Sequence, residues 1–105
     1  MDILGDPASE LFVSAISAFE IGLHHTRGRI VLPRPPEEWF LGAINQHDIE
    51  PLSISWGIAV RSSQLPDIHR DPADRIIIAT ARYHGLIILS PDHLIGSYPN
   101  VIVAW

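Results

Sequence analysis

Residues 69 to 92 read His-Arg-Asp-Pro-Ala-Asp-Arg-Ile-Ile-Ile-Ala-Thr-Ala-Arg-Tyr-His-Gly-Leu-Ile-Ile-Leu-Ser-Pro-Asp. Asp71 is an N-cap candidate, because its side-chain oxygen can accept from the backbone N–H groups that open a helix. Pro72 suits the first helical position, where its missing N–H would have no partner anyway. Asp74 falls in the first turn, where the helix dipole favours negative charge. Ile77, Ile78 and Ala81 recur at helical spacing, and Gly85 is the expected stop. Leu86 to Leu89 is then a short apolar run, and Ser90-Pro91-Asp92 opens a second helix. A helix feeding a strand that is apolar on both faces predicts an α/β fold with a parallel sheet covered by helices.

The same alternation extends outward. Leu11 to Ala15 reads as a buried strand. Ser17 and Glu20 have capping-box spacing, which predicts a helix from about Ser17 to Thr26, closed by Gly28. Three prolines between Arg29 and Pro36 mark a loop, and Pro35-Pro36 launches a helix over roughly Glu37 to His47. Ile49 to Ile54 reads as a strand placed at an edge by Pro51. Ser55 caps a helix to about Leu65, with Trp56, Ile58, Ala59 and Val60 as its inward candidates. The helix after Ser90 is short, ended by Gly96 and Pro99, and Val101 to Trp105 is the last strand. Four strands alternating with five or six helices over residues 1–105 make one domain.

Composition excludes several functions. The 47% hydrophobic fraction supports a core, and no cysteine is available for disulfides or thiolate metal sites. No apolar run reaches the ~18 residues needed to span a bilayer, and Met1 to Asp6 do not resemble a signal peptide, so a cytoplasmic location without membrane contact is expected. All seven basic residues are arginine. The absence of lysine removes Schiff-base chemistry, the P-loop lysine and the lysine of a receiver domain. A formal net charge of −5 argues against a nucleic-acid coat protein, though not against an enzyme that meets nucleic acid through a bound metal.

Glu20 and Asp92 each follow a strand by one tight turn, and Asp74 begins a helix that leads into a strand. In a parallel sheet such positions converge beyond the carboxyl ends of the strands. Three carboxylates gathered there repel one another unless a cation lies between them, and Mg²⁺ or Mn²⁺ suits oxygen ligands. Each acid also has a purely structural explanation, as a capping-box member or a complement to a helix dipole. Asp71 is mainly a cap, with Ser17 as the cap of the earlier helix. Arg70 and Arg75 flank the acids and could meet phosphate or simply be solvated. The histidines have no zinc-ligand spacing, and His69 is the one expected nearest the site. Trp39 and Trp56 read as core residues.

Leu11 to Ile21, Gly28-Arg29, His69 to Arg75, and Ser90-Pro91-Asp92 followed by Val101 to Trp105 resemble a PIN domain, and among these the VapC-type toxins of toxin–antitoxin pairs. The resemblance runs from about Ala8 to Trp105. It implies a three-layer parallel sheet flanked by helices and a Mg²⁺- or Mn²⁺-dependent ribonuclease acting on RNA. A cognate antitoxin protein and a homodimer come with it. By this resemblance Glu20, Asp74 and Asp92 are the second, third and fourth catalytic, metal-binding acids, and Ser90 replaces a small hydroxyl residue beside the metal. His24 stands where the family usually has a basic residue after the glutamate.

The family's opening strand, which ends in its first catalytic aspartate, would lie before residue 1. That strand belongs between those at Leu11 and Leu86, so two lanes of N–H and C=O groups need other partners, at about 1–3 kcal/mol for each group left unsatisfied. Direct pairing of the flanking strands or dimerisation is the expected remedy. With three acids, metal affinity is expected to fall. The alternative function is a catalytically degenerate module that acts through antitoxin binding or dimerisation.

Overall fold

The computed structural model describes residues 10–89, 95–98 and 102–104. The chain divides into two compact units, Met1–Leu52 and Ser53–Trp105. In the first, strand β1 (Leu11–Ser14) runs directly into helix α1 (Ala15–Thr26), followed by helix α2 (Pro36–His47) and strand β2 (Ile49–Leu52). β1 and β2 pair in parallel with Leu11 opposite Ile49 and Val13 opposite Pro51. Pro51 has no N–H to give to a ladder, which suits a strand with one partner.

The expected capping box does not form. Ser14, not Ser17, is the N-cap: it has extended backbone angles, and its hydroxyl oxygen accepts from the Ile16 N–H at 3.2 Å. Ser17 is consequently the third helical residue and Glu20 lies in the second turn. The physical reason is that a serine at the last strand position can cap at once, so no loop residues are needed. α1 closes as expected, with Gly28 at φ 70° and its N–H donating to the His25 carbonyl.

The second unit carries helix α3 (Trp56–Ser63), helix α4 (Pro72–His84), strand β3 (Ile87–Leu89), a single 3₁₀ turn at Ile95–Ser97, and strand β4 (Ile102–Ala104). β3 and β4 pair in parallel, Ile87 opposite Ile102. The described strands therefore form two parallel pairs, β1 with β2 and β3 with β4.

The core of this unit lies between α3 and α4. Ile58, Leu65, Ile78, Ala79, Ala81, Ile88, Ile95 and Tyr98 form one buried cluster. Burying a side chain the size of isoleucine contributes about 1.5–3 kcal/mol, so Ile58 and Ile78, both fully enclosed, are its anchors. Ser55 caps α3 by accepting from the Ile58 N–H at 3.1 Å. The inward face of α3 is Ile58, Ser62 and, just past its end, Leu65. Trp56 is 85% exposed and Ala59 and Val60 also face outward, contrary to expectation. A period of 3.6 set by Ile58 leaves those positions no route inward. Ile88 on β3 is buried, whereas its neighbour Ile87 is exposed. The short helix expected after Ser90 begins outside the described residues, where Ser90 and Asp92 also lie.

Candidate active site

Asp71 opens α4 as the sequence predicts. Its Oδ1 accepts from the Ala73 N–H at 2.9 Å, and its carbonyl accepts from the Arg75 N–H at 3.1 Å. Pro72 then occupies the first helical position, which makes Asp74 the third helical residue, within the first turn at the positive end of the helix dipole.

The loop before the cap folds back over that first turn. His69 Nε2 lies 3.0 Å from Asp74 Oδ2, with the two side chains 13% and 27% exposed. The other ring nitrogen, Nδ1, accepts from the Asp71 N–H at 3.1 Å. The backbone of His69 is fixed in turn, since its N–H donates to the hydroxyl oxygen of buried Tyr98 at 2.7 Å. One histidine thus links the cap, the acid and the end of the 3₁₀ turn.

Arg75, next to Asp74, binds backbone carbonyls instead. Its Nε–H donates to the Ser62 carbonyl at 3.2 Å, Nη1 to those of Pro66 (3.1 Å) and His69 (3.0 Å), and Nη2 to that of Leu65 (2.8 Å). A guanidinium has five N–H donors, and here four are taken up, one by the Ser62 carbonyl in the last turn of α3 and three by carbonyls of the loop between α3 and α4. Arg75 closes that loop. Arg70 is exposed.

Glu20 is half-buried on α1, in the first unit, whereas Asp74 belongs to the second. Asp92 and Ser90 lie outside the described residues. Among the described residues no group of three His, Cys, Asp or Glu side chains stands ready for a metal, and Asp92, one of the three expected acids, is not among them. The donor chemistry at Asp74 nevertheless suits a hard divalent cation: a carboxylate held in orientation, in a chain without thiolates.

A family model described as "PIN domain" matches residues 1–98. The chain belongs to the PIN domain family. It is also 35% identical over 101 residues to Ribonuclease VapC22 of Mycobacterium tuberculosis (strain ATCC 25618 / H37Rv), a match that covers 93% of this chain and 76% of that relative. The α/β architecture with parallel strands agrees with this PIN assignment and with the VapC-type resemblance.

Sequence reasoning missed two roles in this PIN domain. The sequence places His69 only near the site and leaves Arg75 as either a phosphate contact or a solvated charge. The signal for His69 was its position two residues before the N-cap, which sets its side chain over the first turn and within reach of the third helical residue. The signal for Arg75 was weaker, because the carbonyls it gathers come from a loop whose path the sequence does not specify. Among the described residues, no helix is long and apolar enough to cross a membrane.

Proposed function

We propose that this PIN domain is a divalent-metal-dependent ribonuclease of the toxin–antitoxin type. It hydrolyses RNA phosphodiester bonds in the cytoplasm, works as a homodimer and is held in check by a cognate antitoxin protein. Glu20, Asp74 and Asp92 are the carboxylates assigned to the metal, Mg²⁺ or Mn²⁺, and to catalysis. Ser90 and Arg70 are assigned to the substrate side.

The observation that carries this reading is Asp74. It stands in the His69–Arg75 motif by which the chain resembles VapC-type toxins, at the amino end of α4, with its carboxylate already oriented by His69. The relative that matches most of the chain is itself named a ribonuclease. A bound divalent ion supplies Lewis-acid stabilisation of the charge that develops on a phosphodiester. The chain's own part is to hold that ion with oxygen ligands and to position the phosphate. With a net charge of −5, attraction by bulk charge contributes little to RNA binding. Because Arg75 is engaged by loop carbonyls, the phosphate contact in this reading falls to Arg70.

The test is a pair of measurements on the purified chain. Mn²⁺ should raise the melting temperature, because an ion that binds only the folded protein stabilises it. Mn²⁺ or Mg²⁺ should also support cleavage of single-stranded RNA. Asp74→Asn and Asp92→Asn should each remove both effects. If the wild-type chain ignores metal and leaves RNA intact while still binding a partner protein, the degenerate-module reading replaces the nuclease.

A further inference from the structure

We propose that His69 is a positioning residue for Asp74: as the neutral Nε2–H tautomer, it donates a hydrogen bond that fixes the plane of the Asp74 carboxylate for metal ligation. This inference rests on the nuclease reading for its function, but the hydrogen-bond arrangement stands on geometry alone.

The tautomer follows from the two contacts. Nδ1 receives the Asp71 backbone N–H at 3.1 Å, and a nitrogen that accepts must have its lone pair available. The single proton of a neutral imidazole then sits on Nε2, 3.0 Å from Asp74 Oδ2. An imidazolium would instead turn an N–H toward the Asp71 N–H, donor against donor. The Asp71 amide is itself held in place by the N-cap turn, whose geometry is set by Oδ1 and the Ala73 N–H. Tyr98 fixes the histidine backbone from the other side through the 2.7 Å bond to its N–H, and Arg75 holds the His69 carbonyl at 3.0 Å. Ring, backbone and acid are therefore fixed together, while the His69–Asp74 pair remains partly open to solvent.

Carboxylates that bind metals are commonly oriented by such hydrogen bonds, and losing the partner typically weakens metal binding about 10–100-fold. Residues 69–75 thus supply the acid together with a hydrogen bond that orients it.

Two substitutions separate this role from simple loop bracing. The amide nitrogen of glutamine reaches the position of Nε2, so His69→Gln keeps a donor for Asp74 and loses the acceptor for the Asp71 N–H. Asparagine reaches only as far as Nδ1, so His69→Asn keeps the acceptor and loses the donor. Mn²⁺ affinity, measured by electron paramagnetic resonance on the folded chain, should fall about 10–100-fold in His69→Asn and stay close to wild type in His69→Gln. The reverse order, or equal loss in both, overturns the positioning role.

Long-range ¹H–¹⁵N NMR of the metal-free wild-type protein should show His69 protonated at Nε2 only. A signal from an Nδ1–H tautomer overturns the proposal even if neither variant folds. Wild-type protein that takes up no Mn²⁺ overturns the nuclease reading, and the positioning role with it, while the NMR signature still reports on the histidine–aspartate bond by itself.

Discussion

The two units use similar parts, a parallel strand pair and a pair of helices, yet they differ in what they bury. Between α3 and α4 the second unit encloses Ile58 and Ile78 completely and buries Ala79, Ala81, Ile88, Ile95 and Tyr98 around them. Among the described residues of the first unit none is buried: β1 is half-covered along its length, and α1 and α2 have no buried residue. The difference teaches that an apolar periodicity specifies which face of an element is available for packing, not that the chain at hand covers it. In the second unit, hydrophobic burial and the support of Asp74 are joined, because Arg75 and Tyr98 reach from that packing to the loop that carries His69.

The comparison breaks most visibly at isoleucine. Ile78→Ala removes a fully enclosed side chain and should cost about 2–5 kcal/mol, read as a lower urea midpoint. Ile44→Ala, on α2 and only half-buried, should cost less than half as much. Equal losses would mean that the first unit is covered in solution. A midpoint for Ile44→Ala that rises with protein concentration would identify a second copy as the cover.

Arginine gives the next effect. Arg75→Lys keeps the charge but replaces a fork of donors with a single flexible ammonium. Hydrogen bonds to charged groups contribute about 1.5–3 kcal/mol, and the variant should lose about that much stability without any RNA or metal present. Arg70→Lys, at an exposed site, should change stability by no more than about 0.5 kcal/mol. If Arg75→Lys left stability untouched, the loop clamp would be wrong and the phosphate role for Arg75 would return.

The caps sharpen the comparison on a finer scale. Asp71→Ala and Ser14→Ala each remove one side-chain bond to an opening N–H, worth about 1 kcal/mol. The loss at Asp71 should be the larger, because its negative charge also meets the dipole of α4 and its cap bond is shorter, 2.9 Å against 3.2 Å. Thermal melts of the two single variants at low salt test the order.

These same residues show what was legible in advance. Asp71, Pro72 and Gly85 bound α4 where propensity and capping rules put it, because those rules act over a few neighbouring residues. The strands and Ser55 followed for the same reason. Ser14 caps α1 in place of the expected Ser17 because two serines three positions apart offer equivalent hydroxyls, and only the path of the strand decides which meets a free N–H. Trp56 reads as core from its size, yet its burial depends on the rotation of α3, which Ile58 determines. His69 and Arg75 act through contacts with backbone atoms, and no side-chain pattern records where those carbonyls and amides lie.

The smallest effect compares how the helices end. α4 stops at Gly85, with φ 67° and ψ 38°, whereas α2 stops at Asp48, with φ 52° and ψ 50°. Both are left-handed caps, but a Cβ makes this conformation about 1–2 kcal/mol less favourable for most residues, with aspartate among the more tolerant. Gly85→Ala should therefore destabilise by about 1 kcal/mol. Asp48→Gly removes the steric cost, but it also gives the unfolded chain more freedom, which offsets about 0.4–1 kcal/mol. The net gain should be only a few tenths of a kcal/mol. It should appear as a small rise in melting temperature, and Asp48→Ala should fall below wild type. Were Asp48→Gly to destabilise clearly, the aspartate side chain would have to be stabilising that turn by more than its backbone geometry costs.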